Sequence, residues 1–114
     1  VCAAAKTVFD TIVDEGLMEH VREMGAYMAA GLAEMVDAFG PVLEVRGRGL
    51  MCGLGVDPDA LDRAAVMTQA RENGLLITTA GPDAIRLVPP LIVGSGHIDE
   101  AMAILRKSIS EVLA

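Results

Sequence analysis

Tryptophan is missing from this sequence, tyrosine occurs once and phenylalanine twice. Bases and sugars are commonly gripped on aromatic faces, so a chain with so few of them argues against nucleic acid as a ligand. Basic residues are also scarce, nine against sixteen acidic, for a net charge of −7. That balance repels phosphate backbones and anionic lipids and favours solubility, while leaving room for a small anion at a local basic spot. Only two cysteines are present, Cys2 and Cys52, with neither C-x-x-C spacing nor the density of a disulfide scaffold. No stretch approaches the roughly 20 apolar residues that span a bilayer, and Lys6 and Asp10 interrupt the first thirteen residues where a signal peptide needs an apolar run. The expectation is a soluble, reduced, cytoplasmic protein with no membrane partner.

What the sequence does have is aliphatic bulk: 53% of the 114 residues are hydrophobic, enough for one core and too few residues for two ordinary domains. Val1, Ala4, Ala5, Val8, Phe9, Ile12 and Val13 share one helical face, closed by Gly16. Leu17, Val21, Met24, Met28, Leu32, Met35 and Phe39 form a second, longer stripe that Gly40-Pro41 ends. The period then shortens to two. Leu43 and Val45 alternate with Glu44 and Arg46, and Leu50, Cys52, Leu54 and Val56 alternate with Met51, Gly53 and Gly55. These two strands predict a hairpin around Gly47-Arg48-Gly49, with the strand glycines admitting a helix or loop close to the sheet.

Asp57-Pro58-Asp59 offers cap and first-turn chemistry for a third helix over 60–73, and Gly74 closes it. A strand over 75–79, a turn at Gly81-Pro82-Asp83 and a returning strand over 84–88 follow, halted by Pro89-Pro90. After Gly94-Ser95-Gly96 a last helical stripe runs from Ile98 to Leu113. The predicted order is ααββαββα, an α/β fold of the α+β type: a mostly antiparallel sheet with helices packed on one face.

Ordinary catalytic constellations are hard to find. His20, on the polar side of the second helix, and His97, in the first turn of the last, lack further ligands at metal spacing and read as surface histidines. Ser95, Ser108 and Ser110 have no nucleophile-elbow context, and Ser95 reads as a helix cap. Gly47-x-Gly49 has Cys52 where a dinucleotide loop needs its third glycine, and it leads into a strand where that loop needs a helix. The apolar neighbours of Cys52 predict an inert core thiol. One position stands out. Arg86 lies between Ile85 and Leu87-Val88 just before Pro89-Pro90, and an arginine there requires either an anionic partner within the protein, an exposed edge position, or a carboxylate ligand that its planar fork can grip bidentately.

Three segments together are similar to the C-terminal part of class III pyridoxal-phosphate aminotransferases, acetylornithine aminotransferases most of all. They are Val1-Cys2-Ala3-Ala4-Ala5, Val45-Arg46-Gly47-Arg48-Gly49-Leu50-Met51-Cys52-Gly53-Leu54 and Ala84-Ile85-Arg86-Leu87-Val88-Pro89-Pro90-Leu91. The resemblance implies that 1–114 is the small C-terminal domain, with 1–15 the helix leading in from a large domain. It implies an amino transfer from N-acetylornithine to 2-oxoglutarate, yielding glutamate, as a step of arginine biosynthesis in a cytoplasmic homodimer. It assigns Arg86 to the α-carboxylate of 2-oxoglutarate or glutamate. Pyridoxal 5'-phosphate, its lysine and its phosphate cradle belong to the family's large domain, and Lys6 and Lys107 fall outside the family's lysine motif.

The first segment matches a motif whose leading Asn-Pro-Leu is not in this sequence, so a fragment is expected, inactive alone. Gly94-Ser95-Gly96-His97 departs from the family's threonine before acidic residues, which bears on capping. The alternative, from the residues alone, is a stand-alone amino-acid-binding or dimerisation module without catalysis.

Overall fold

The computed structural model describes all 114 residues as four helices and four strands in the predicted order. Helix α1 spans Cys2–Asp14 and α2 spans Leu17–Ala38, separated by Glu15-Gly16. Strands β1 (Val42–Arg48) and β2 (Met51–Val56) form the first hairpin. Helix α3 (Arg63–Glu72) leads to β3 (Thr78–Ala80), β4 (Ala84–Leu87) and α4 (Ser95–Leu113). The sheet runs β1-β2-β4-β3 with every neighbouring pair antiparallel. The chain therefore leaves β2, builds α3 and β3, and returns to lay β4 between them.

The core fills the space between the helices and one sheet face. Met28, Leu32 and Met35 from α2, and Ile98, Leu105 and Ile109 from α4, meet Cys52, Leu54, Val56, Ile85 and Leu87 from the strands. A period of two on the strands and of about 3.6 on the helices puts each of these sets on one side of its element. Ser108 is buried among them, accepting from Asn73 Nδ2 at 3.0 Å and donating to the Ile104 carbonyl at 2.7 Å. Helix α2 also touches the hairpin tip directly, since a Cβ on Gly25 would fall 2.8 Å from the Gly49 backbone.

Five local expectations are corrected. The hairpin turns at Gly49-Leu50, with Arg48 and Met51 as its closing pair, so the tip lies further along than Gly47-Arg48-Gly49. Gly49 takes φ +57°, the left-handed value that such a two-residue turn needs at its first position. An irregularity between Val42 and Glu44 turns Val42 into the core and leaves Leu43 56% exposed, because a bulge shifts the alternation by one residue.

Helix α3 starts at Arg63 instead of near residue 60. The Asp57 carbonyl accepts from Ala60 and Leu61, Leu61 is buried, and Asp62 supplies the cap by accepting from Ala65 at 3.2 Å. Strand β3 is limited to three residues pairing with Ala84–Arg86, because β4 ends at Leu87 before the two prolines. Ser95 is the first residue of α4 and makes no side-chain cap; Gly94 holds the cap position.

Candidate functional site

The sheet face turned away from the helices carries the charged residues. Directly opposed residues of antiparallel strands project to the same side, so the register lines up Arg46, Gly53, Arg86 and Thr78 in one row across β1, β2, β4 and β3. Arg86 thus sits on an interior strand, and its side chain is exposed on that open face. Its Nε donates to Thr78 Oγ1 at 3.3 Å, and no carboxylate oxygen comes within 4.0 Å of its guanidinium. Neither an internal salt bridge nor an edge position accounts for it. The guanidinium is a permanent cation with most of its donors free.

Arg46 behaves in the opposite way. Its Nη1 and Nη2 donate to the two carboxylate oxygens of Asp83 at 2.8 and 3.0 Å, and its Nε donates to Glu44 at 2.8 Å. This bidentate fork holds the Asp83 carboxyl below the usual carboxylate range, Arg46 being the main cause and Arg63 a smaller one. The same bonds push Arg46 upward. Gly55 makes the arrangement possible, since a Cβ there would stand 2.7 Å from the Arg46 Nε. What lies over the strand glycines is therefore this side chain at Gly55 and the neighbouring strand's backbone at Gly53, rather than the helix or loop that the sequence suggested. Arg63 fastens the β3–β4 turn by donating to the carbonyls of Ala80, Gly81 and Ala84.

His20 is half-buried instead of standing free on the polar side of α2. Its Nε2 donates to the Val93 carbonyl at 2.7 Å, pinning the segment that follows Pro89-Pro90. His97 is exposed at the start of α4, and no group of three His, Cys, Asp or Glu side chains is arranged to hold a metal ion. Cys52 is buried beneath the sheet, and desolvation raises its thiol above the ordinary value. Gly47-Arg48-Gly49 is hairpin, with no helix following that could receive a phosphate.

Lys6 and Lys107 lie on exposed faces of α1 and α4, paired with Asp10 at 2.6 Å and Glu111 at 3.7 Å. Both ammonium groups are held by neighbouring carboxylates on exposed helix faces, so these residues by themselves do not fit pyridoxal phosphate. An open, mainly apolar groove of about 860 Å³ runs between the start of α2, the hairpin tip and the proline segment, with Met18, Val21, Leu50, Met51 and Val88 on its walls. Helix α1 adds Val8, Phe9 and Val13 to the exposed apolar surface. No helix is long and apolar enough to cross a membrane.

Sequence reasoning singled out Arg86 but missed Arg46, Asp83 and His20. Arg46 shares a strand face with Glu44, alternating with Leu43 and Val45, which signals a solvent-facing position; its tie to Asp83 leaves no local mark.

The family described as aminotransferase class-III matches residues 1–109. An acetylornithine aminotransferase of Gloeobacter violaceus is 49% identical over 106 residues, covering 91% of this chain and 26% of that protein. One from Thermosynechococcus vestitus is 42% identical over 114 residues, covering 98% and 28%. Among solved structures, a lysine aminotransferase from M. tuberculosis superimposes with a TM-score of 0.88 at 35% identity, covering 96% of this chain and 25% of the other. An ornithine aminotransferase from Toxoplasma gondii, solved with partial occupancy of PLP at its active site, gives 0.87 at 29% identity, covering 97% and 26%. The chain spans about a quarter of the length of the curated relatives it matches.

Proposed function

Given that the chain belongs to the class III aminotransferase family, we propose that residues 1–114 are the small C-terminal domain of an acetylornithine-type aminotransferase and that Arg86 holds a substrate carboxylate. The whole enzyme would move an amino group from N-acetylornithine to 2-oxoglutarate, a step of arginine biosynthesis, as a cytoplasmic homodimer. The 114 residues alone would be inactive. Pyridoxal phosphate supplies the amino-group chemistry when bound, and its lysine and phosphate-binding groups would come from the large domain. Residues 1–15 would be the helix leading in from that domain. The exposed apolar residues of α1 and of the groove beside the hairpin tip support this reading, since surfaces of that kind call for cover.

The observation that carries the assignment is the unpaired guanidinium of Arg86, on an interior strand beside a residue without a side chain. A planar fork with free donors matches a carboxylate bidentately, the group that amino and keto acids share. The N-acetylornithine preference rests on the likeness to acetylornithine aminotransferases. In the full-length enzyme, Arg86→Ala is expected to raise the KM for 2-oxoglutarate and glutamate while the cofactor absorbance is retained. Unchanged kinetics would refute the role of Arg86.

A further inference from the structure

Beyond Leu87 the chain crosses to α4 through Val88-Pro89-Pro90-Leu91-Ile92-Val93, a segment without a polar side chain. The sheet does not hold it, since β4 ends at Leu87. One turn lies inside the segment, the Val93 N–H donating to the Pro90 carbonyl at 3.0 Å. Only one hydrogen bond ties residues 88–93 to another element: His20, in the first turn of α2, donates from Nε2 to the Val93 carbonyl at 2.7 Å. We infer that His20 is a positioning residue for substrate binding, acting through this segment on the end of the strand that carries Arg86. The inference rests on the reading of Arg86 as a substrate-carboxylate site.

The route from His20 to Arg86 is short and stiff. Both peptide groups flanking Val93 are fixed, one by the turn and the other by His20, and the Val93 side chain is buried. The orientation of the turn relative to α2 is thereby set. Pro89 and Pro90 have φ locked at about −65°, and a residue ahead of a proline is held extended. A shift at the turn therefore travels to Val88 instead of being absorbed on the way. Val88 follows Leu87, the last paired residue of β4, and Arg86 precedes that residue. Leu87 is buried while Arg86 and Val88 are exposed, as alternation along an extended strand requires. Val88 is thus the apolar neighbour of the guanidinium, and the clamp at Val93 decides where it stands. Prolines supply no N–H, and those of Val88, Leu91 and Ile92 make no bond within the chain, so no other backbone contact takes over when His20 is lost.

Apolar packing is the competing account. Leu87 and Val93 are both buried, and if their burial alone holds the segment, the imidazole donor is dispensable. Burial is non-directional, whereas the hydrogen bond fixes which way the Val93 carbonyl points. A loosened segment spreads the strand end over several placements, and the apparent affinity falls with the fraction competent to bind. Such a loss appears in KM more than in kcat.

The test uses the full-length, pyridoxal-phosphate-loaded enzyme with two readouts. One is KM for 2-oxoglutarate against kcat; the other is hydrogen exchange of the peptide covering Val93, whose bonded amide reports the turn. His20→Leu, which keeps bulk without a donor, is expected to raise KM up to roughly fivefold, the scale of one neutral hydrogen bond. Its kcat should change little, and exchange at Val93 should quicken. His20→Asn, whose amide stops short of the Val93 carbonyl, should match it and decides the matter if the leucine variant fails to fold. His20→Gln reaches about as far as Nε2 and should recover most of both losses. In an Arg86→Ala background His20→Leu should quicken exchange without raising KM further.

An unchanged KM in the leucine and asparagine variants, with Arg86→Ala raising it, would overturn the inference and leave the role of Arg86 intact. So would a raised KM without faster exchange at Val93, a loss that His20→Gln does not recover, or a further rise in the Arg86→Ala background. An unaffected Arg86→Ala would instead remove the reading on which the inference stands.

Discussion

Arg86 and Gly53 are direct cross-strand partners, and the glycine leaves bare backbone where any other residue would stand beside the guanidinium. The fit is close: a Cβ on Gly53 would lie 1.9 Å from the Ile85 carbonyl oxygen and 3.0 Å from the Arg86 Cα. The same missing atom lets β2 and β4 approach and keeps the flank of Arg86 clear. Packing and binding are therefore joined at one position.

Gly53→Ala is accordingly expected to cost stability, about 1–3 kcal/mol on the scale of an overpacked site, because the atom it meets is backbone and cannot rotate away. Urea unfolding of the full-length enzyme and its alanine variant measures this. A variant as stable as the parent, with the same KM for 2-oxoglutarate, would mean that the strands have room that the geometry denies.

At Arg86 one neutral and one cationic substitution separate charge from shape. Loss of the charged hydrogen bonds in Arg86→Ala, about 2 kcal/mol, corresponds to a roughly 30-fold rise in KM. Arg86→Lys keeps a point charge without the planar fork and should recover only part of that loss. Full recovery by lysine would show that geometry is unimportant there.

The Asp83 carboxyl is held below its ordinary value of 3.8 by Arg46. A depressed carboxylate contributes stability that is complete above the unfolded-state value and is lost as the pH falls through the lower folded-state value. The stability gap between the parent chain and Asp83→Asn should thus be flat near neutrality and should close on acidification below about pH 4. Thermal unfolding midpoints across pH 2 to 7, taken as roughly bracketing the carboxylate range, would reveal it. A gap that widens in acid would contradict the fork.

Cys52 should resist alkylation in the folded protein, since it is buried and its thiol is pushed upward by desolvation. Iodoacetamide labelling followed by peptide mapping should find the Cys52 peptide unmodified until denaturant is added. Rapid labelling under native conditions would require the core to open there.

Periodicity made most of the architecture readable, because α2, α4 and the inward side of β2 each bury one regular stripe. It failed where one residue changes the phase or where a turn borrows helix-capping residues. Leu43 looked like a core position, but the bulge hands that place to Val42. Asp57 looked like the cap of α3, but it organises a turn ahead of the real cap at Asp62. Arg86 could be read as unusual from its apolar neighbours alone. Its freedom could not, because that depends on where the face's carboxylates go: Asp83 is 37 residues from Arg46 along the chain. The bond from His20 to Val93 bridges 73 residues and was equally invisible.

Helix α1 places no side chain in the core and packs chiefly against α2. Thirteen residues are marginal for a helix without tertiary support, so in the 114-residue chain its backbone hydrogen bonds open by local fraying, independently of the event that unfolds the sheet and its covering helices. Amide protons of α1 then exchange with solvent at rates set by that fraying, while those of β2 and β4 wait for global unfolding. Cooperativity in this chain begins at α2.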